Sequence, residues 1–279
     1  MNLKFVVNDY VLIWNLLFQA SVSEEIHKLK QKLWLNYKNE YNNTYKDKEL
    51  ILKDPKNFIP NDDTIYNIVL ENKEYEKIKK ETEKYRNNIL KIWDQSKKET
   101  LKNLKEILRL ENKNYTILVV NDSLDIVDTT TIKNQKISTL IYGKKHSLKD
   151  KNKLIIDLVF EIVKKEVKSY QIEYKDIVMA VIELAILNEF ATRISDISTY
   201  LTGDPTLAFL KRQIYPYWLM YLGATKEEMQ EYMIRDKIAF NIEEYTYERQ
   251  LKKIDILEFI NFCIRNQKHI IKINELEII

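Results

Sequence analysis

Three glycines in 279 residues, Gly143, Gly203 and Gly223, set the tightest limit on what this chain can become. Average usage of roughly 7% would supply about twenty. A dinucleotide-binding fingerprint, a phosphate-binding P-loop, a propeller, a β-sandwich and a doubly wound sheet all need glycine at sharp turns or under phosphates. No two glycines here lie closer than twenty residues, so each of those architectures is excluded. Only four prolines (Pro55, Pro60, Pro205, Pro216) interrupt the chain, which favours long helices. With 45% apolar and 31% charged residues, there is material for a real core in one large domain or two small ones.

Forty-five Lys and Arg against 42 Asp and Glu leave a net charge of +3, spread along the chain rather than gathered in a tail. No nucleic-acid footprint stands out, because the densest basic groups, Lys144-Lys145-His146 and Lys211-Arg212, are short. The abundance of Lys, Asn, Ile and Tyr is that of AT-rich coding and suggests a low-GC bacterium or its phage. The single Cys263 cannot close an internal disulfide and sits in the apolar run at 259–264, where a small buried hydrophobe and a reducing, cytoplasmic setting are expected. Residues 10–18 resemble the apolar part of a signal peptide. Asn8, Asp9 and Asn15 interrupt them, however, so a retained helix is expected. No run of about eighteen uninterrupted apolar residues exists, and no membrane span is expected.

Residues 8–112 read as helices: a first at 8–18, a second opened by Ser21-Val22-Ser23-Glu24, a short one at 65–70 beyond Pro60, and a long charged one at about 74–110. Apolar residues recur at three and four along the last, from Ile78 through Tyr85, Ile89 and Trp93 to Leu108, as in a packed helix with one buried stripe. A coiled-coil arm is the alternative, although the heptad fails through 94–100. After Asn112 the character changes. Residues 115–120 and 136–142 are β-branched runs that read as strands, and Ile126-Val127 adds a short third. Helix resumes at about 150–167 and 176–201, with further starts at Asp204-Pro205, Thr225 to Glu228 and Asp255 to Glu258. The expected fold is therefore mainly α with α+β character. A helical region at 1–112 precedes an α+β domain at 113–279, which holds two or three strands and a C-terminal helical bundle; the two either form one integrated body or lean together as domains.

The residues for standard site chemistry are scarce. His27, His146 and His269 form no H-x-x-x-H pair, Glu24 and His27 make a single E-x-x-H that reads as a surface pair, no serine sits in a G-x-S-x-G elbow, and Cys263 carries no sign of activation. No metal or cofactor is expected. Two helices are too apolar for a surface: one at 153–167 carrying Asp157, Glu161 and Lys164 or Lys165 at four-residue steps, and one at 176–196 with Glu189 and Arg193 at i and i+4. Charges in such surroundings must be paired, either locally along each helix or between the helices through Glu161, Lys164, Glu189 and Arg193. Downstream, Lys211 and Arg212 precede Tyr215, Tyr217 and Trp218. That pattern suits either a phosphate and stacking surface for single-stranded nucleic acid or a core helix kinked or restarted at Pro216 and ended at Gly223.

The order of strand, edge strand, helix with a central Glu and second Glu-bearing helix resembles the gluzincin-type zinc metallopeptidases. In that family an H-E-x-x-H helix supplies two histidine ligands and a glutamate base, an edge strand binds substrate backbone, and a following helix supplies a third ligand, Glu. Phe160-Glu161-Ile162-Val163-Lys164 stands at the H-E-x-x-H positions, and Leu187-Asn188-Glu189-Phe190-Ala191 is similar to the L-N-E-G-F-A segment of the aminopeptidase branch. The resemblance implies that Glu161 matches the base and Glu189 the third ligand, with Glu183, nineteen residues after Lys164, the other candidate. Both histidines are absent, and the Lys164 ammonium would repel Zn2+ and could replace it as the partner of Glu161 and Glu189. A non-catalytic cytoplasmic protein that binds or regulates another protein, on a zincin-like scaffold without metal, is the expectation. A hydrolase using Glu161 and Glu189 as paired carboxylates is one alternative, and nucleic-acid binding through Lys211, Arg212 and the aromatics is another.

Overall fold

Leu3 and Phe5 are buried while Asn2 and Lys4 face out, and this alternation makes Asn2–Val6 a strand, β1, that the sequence reading did not contain. The computed structural model describes residues 1–111, 113–129, 139–145, 150–168, 174–195, 202–225, 227–228 and 251–270. Helices follow: α1 (Asp9–Phe18), α2 (Glu24–Asn36), α3 (Lys38–Tyr45), α4 (Lys48–Lys53), α5 (Thr64–Leu70) and α6 (Lys73–Leu108). Then come β2 (Asn114–Val119), β3 (Ile126–Thr129), β4 (Thr139–Gly143), α7 (Lys151–Lys168) and α8 (Lys175–Glu183). A π-helical segment (Leu184–Phe190) leads into α9 (Ala191–Ser195), and α10 (Ala208–Leu222), α11 (Ile256–Arg265) and α12 (Gln267–Ile270) complete the described elements. The fold is mainly α with a small mixed sheet, as expected. The expected strand residues 136–138 and helix residues 196–201 lie outside the described residues.

The chain divides into two units, Met1–Ser96 with Asn112–Ile155 and Lys97–Glu111 with Ile156–Ile279. The strands that follow residue 112 group with the N-terminal helices, because β1 pairs with β2. The sheet runs β1-β2-β4-β3, parallel between β1 and β2 and between β2 and β4, with β3 antiparallel on the edge beside β4. Gly143 is required where β4 ends: a Cβ there would lie 2.5 Å from Val120 Cγ2 and 2.8 Å from the Asn121 carbonyl oxygen.

The apolar stretch that resembled a signal peptide is a core helix. Asn8 caps α1 by accepting from the Val11 amide, and seven of the ten residues of α1 are buried. Around it pack Ile26, Leu29 and Leu33 of α2, Ile65, Tyr66 and Val69 of α5, Tyr75 and Ile78 of α6, and Leu118 and Ile141 of the sheet. The cap of α2 is Ser23 rather than Ser21: its hydroxyl accepts from the Ile26 amide and donates to Glu25. The long helix α6 is buried along one stripe from Tyr75 and Ile78 through Tyr85, Ile89 and Trp93 to Leu104, Ile107 and Leu108, as a packed helix rather than a free arm.

In the second unit, α10 and α11 pack on α8. Trp218 stacks on Tyr221 at 5.1 Å, and Phe259 lies 4.8 Å from the same tyrosine ring. Arg109, held at φ 54°, ties this cluster together: its guanidinium lies 4.3 Å over the Tyr221 ring and donates to the carbonyls of Tyr221, Leu251 and Ile254. Helix α10 is continuous through Pro216, so of the kink or restart expected there the restart is absent, and it ends at Gly223 (φ 114°), where the amides of Gly223 and Ala224 both donate to the Leu219 carbonyl. Cys263 is buried in α11 as a small hydrophobe, and burial pushes its thiol pKa up.

Candidate functional site

From Ile177 in α8 to Leu187 in the π-helical segment every residue but Glu183 is apolar, so the Glu183 carboxylate at their junction enters the interior with few choices of partner. The Lys211 ammonium answers it. The two side chains are 0% (Lys211) and 4% (Glu183) exposed, with Lys211 Nζ 2.6 Å from Glu183 Oε2. Lys211 also donates to the Thr202 carbonyl at 3.0 Å, and the Asp204 amide donates to both oxygens of Glu183 at 3.1 and 3.2 Å. A buried pair is stable only when its remaining lone pairs and protons are met by further hydrogen bonds, and segment 202–204 meets them.

Gly203 makes that approach possible. Its φ of +125° is left-handed, and a Cβ on it would lie 2.1 Å from Glu183 Oε2, inside the carboxylate. Asp204 then caps a 3-10 turn (Pro205–Leu207), its carboxylate accepting from the amide and hydroxyl of Thr206, and these bonds hold its pKa below the usual carboxylate range. The result is a recess of about 280 Å³ between α7, the start of α8 and this turn, walled by Glu183 and bordered by Lys164, Lys175, Asp176 and Asp204. The π-helical turns that begin beside Glu183 add to the marks of a site, since such distortions are frequent where a helix carries function.

The other expected charges follow the local alternative of the sequence reading, pairing along their own helices. Glu161 and Lys164 pair with each other, 3.6 Å apart along α7, and the ammonium lies 5.7 Å over the Phe160 ring. Glu189 pairs with Arg193 at 2.7 Å along its own helix, and Arg193 reaches Glu106 of α6 at 2.9 Å. Among the described residues no ion pair joins the first couple to the second, so the cluster of Glu161, Lys164, Glu189 and Arg193 between two helices resolves into local pairs. Lys211 and Tyr217 are interior residues, the tyrosine packed 5.8 Å from Phe262, while Arg212 is exposed and Tyr215 half-buried. The buried Lys211 ammonium is already spent on the Glu183 carboxylate, so of the residues named for a nucleic-acid surface Arg212 and Tyr215 are the ones that reach the exterior. Glu24 pairs with Lys28 at 2.7 Å rather than with His27, whose ring meets the Ser21 carbonyl.

Sequence reasoning named Glu183 and Lys211 but never joined them. The signal was there: Glu183 is a lone charge in the apolar run 177–187, and Lys211 lies in a strongly apolar helix, so the two opposite charges are candidates for one buried pair. No group of three His, Cys, Asp or Glu side chains among the described residues is placed to hold a metal ion. No helix among them is long and apolar enough to cross a membrane. Comparison with protein-family models, curated proteins and solved structures finds no match for this chain.

Proposed function

We propose that the chain is a non-catalytic binding or regulatory protein, working in a reducing cytoplasm on another protein, and built on a zincin-like scaffold that has given up its metal. The observation that carries this reading is the capture of Glu183. It stands at one of the two third-ligand positions that the resemblance implies, yet both of its oxygens are committed to the Asp204 amide and one also to the Lys211 ammonium. A zinc ligand needs a free lone pair aimed at the ion, and a cation 2.6 Å away adds repulsion. In the resemblance that the reading rests on, Phe160 and Lys164 match the two imidazole positions. The mixed sheet, with β3 antiparallel on its edge immediately before β4 and α7, supports the scaffold part of the reading. Charge neutralisation by lysine thus does structurally what a metal would do chemically: it fixes the carboxylate-bearing helix against its neighbours.

The test is a hydrolysis assay on a mixed fluorogenic peptide set, with and without added zinc. The expected result is no turnover above buffer. Turnover abolished by Glu161→Gln or Glu189→Gln would overturn the reading in favour of paired-carboxylate hydrolysis.

A further inference from the structure

We propose that the recess beside Glu183 binds a free α-amino acid with an apolar side chain; the proposal rests on the non-catalytic reading, in which such a ligand is held and released unchanged. The argument begins with charge. Glu183 is already neutralised by Lys211, which leaves Lys164, Lys175, Asp176 and Asp204 as the ionic groups bordering the space. Lys175 and Asp176 have no hydrogen-bond or ion-pair partner among the described residues. Lys164 is paired with Glu161 at 3.6 Å, beyond hydrogen-bond distance, and lies over the Phe160 ring, while Asp204 uses Oδ1 on Thr206 and leaves Oδ2 open. Two ammonium groups and two carboxylates therefore border one recess, three of them exposed at its mouth and Lys164 shared with Glu161, and each is open to a ligand that displaces its water.

A simple anion in this space would face Asp176 and Asp204, and a simple cation would face Lys164 and Lys175. A ligand bearing both charges satisfies both pairs: its carboxylate accepts from the lysines, and its ammonium donates to the aspartates. Between them the wall is apolar, formed by Val178, Met179 and Leu207. At about 280 Å³ the recess has room for roughly nine waters, and so for a ligand of about that many non-hydrogen atoms. Leucine and methionine have that size, those two charges and an apolar remainder to lay on the wall. The buried pair and Gly203 hold the turn carrying Asp204 in place, so that side of the recess is fixed before the ligand arrives.

Titration calorimetry on the intact chain with L-methionine and L-leucine tests this, alongside methionine amide, which lacks the carboxylate, and N-acetylmethionine, which lacks the ammonium. Lys175→Gln and Asp176→Asn are the variants of choice because neither side chain has a structural partner to lose. The expected result is saturable one-to-one binding, weakened at least about tenfold by each blocked ligand and by each variant. No heat of binding at about 10 mM amino acid, or equal binding by the blocked ligands, or by the variants, overturns the proposal. Metal content and peptide turnover are read separately, so a failure here leaves the non-catalytic reading to its own assay.

Discussion

Lys211 and Glu183 are the residues on which the site depends, and cutting them apart has a predictable cost. Lys211→Met leaves a buried carboxylate with only an amide for company, which should lower stability by about 3 to 5 kcal/mol in urea unfolding. Adding Glu183→Gln to that variant, which removes the orphaned charge but keeps an acceptor for the Asp204 amide, should restore part of the loss. A second buried carboxylate behaves in the opposite sense. Asp47, in the first unit, accepts from Tyr66 and Asn61 but has no cation, and burial outweighs those bonds and raises its pKa. A carboxyl raised in the native state stabilises fully below its unfolded value, and that contribution is lost as pH rises through the folded value. Asp47→Asn should therefore gain stability at pH 7 and not at pH 3, as urea midpoints at the two pH values would reveal; a loss at pH 7 would contradict the account. None of these roles was legible in the sequence, because a Lys, Glu or Asp reads the same whether it faces water or a partner many residues away. Only the density of apolar neighbours around Glu183 and Lys211 gave a hint.

Among the elements, caps and periodicity were readable and distortions were not. The reciprocal cap at Thr225, whose hydroxyl accepts from the Glu228 amide while its own amide donates to the Glu228 carboxylate, follows from spacing alone, as does the Asp255 cap of α11. The stripe of α6 was equally plain. Strand β1 was missed because five residues of alternation are too few to stand out beside a strongly apolar helix, and its pairing partner lies more than a hundred residues on. The π-helical segment was hidden because its first four residues, Leu184 to Leu187, are apolar in succession, so no change of period could be seen where it begins. Two glycines at element ends separate steric from conformational cost. Gly223→Ala, at positive φ in open space, should cost about 1 kcal/mol. Gly203→Ala, also at positive φ but with its Cβ driven into the Glu183 carboxylate, should cost at least about 2 kcal/mol and weaken whatever the recess binds. Equal urea midpoints for the two variants would refute the packing described around Glu183.

At the scale of the whole molecule, scarcity of glycine and proline did most of the predicting. It excluded the glycine-dependent nucleotide folds and left long helices with a small sheet, which is the architecture found. How the chain groups into units was less legible, since the pairing of β1 with β2 ties the mid-chain strands to N-terminal helices through contacts that no local pattern encodes. The central claim is that a lysine occupies the electrostatic role a metal ion would fill, and elemental analysis of the purified, untagged chain tests it most directly. The account predicts transition metal well below one equivalent, unchanged after dialysis against zinc and then buffer. One equivalent of zinc or another transition metal retained through that dialysis, and lost in Glu183→Gln, would contradict it.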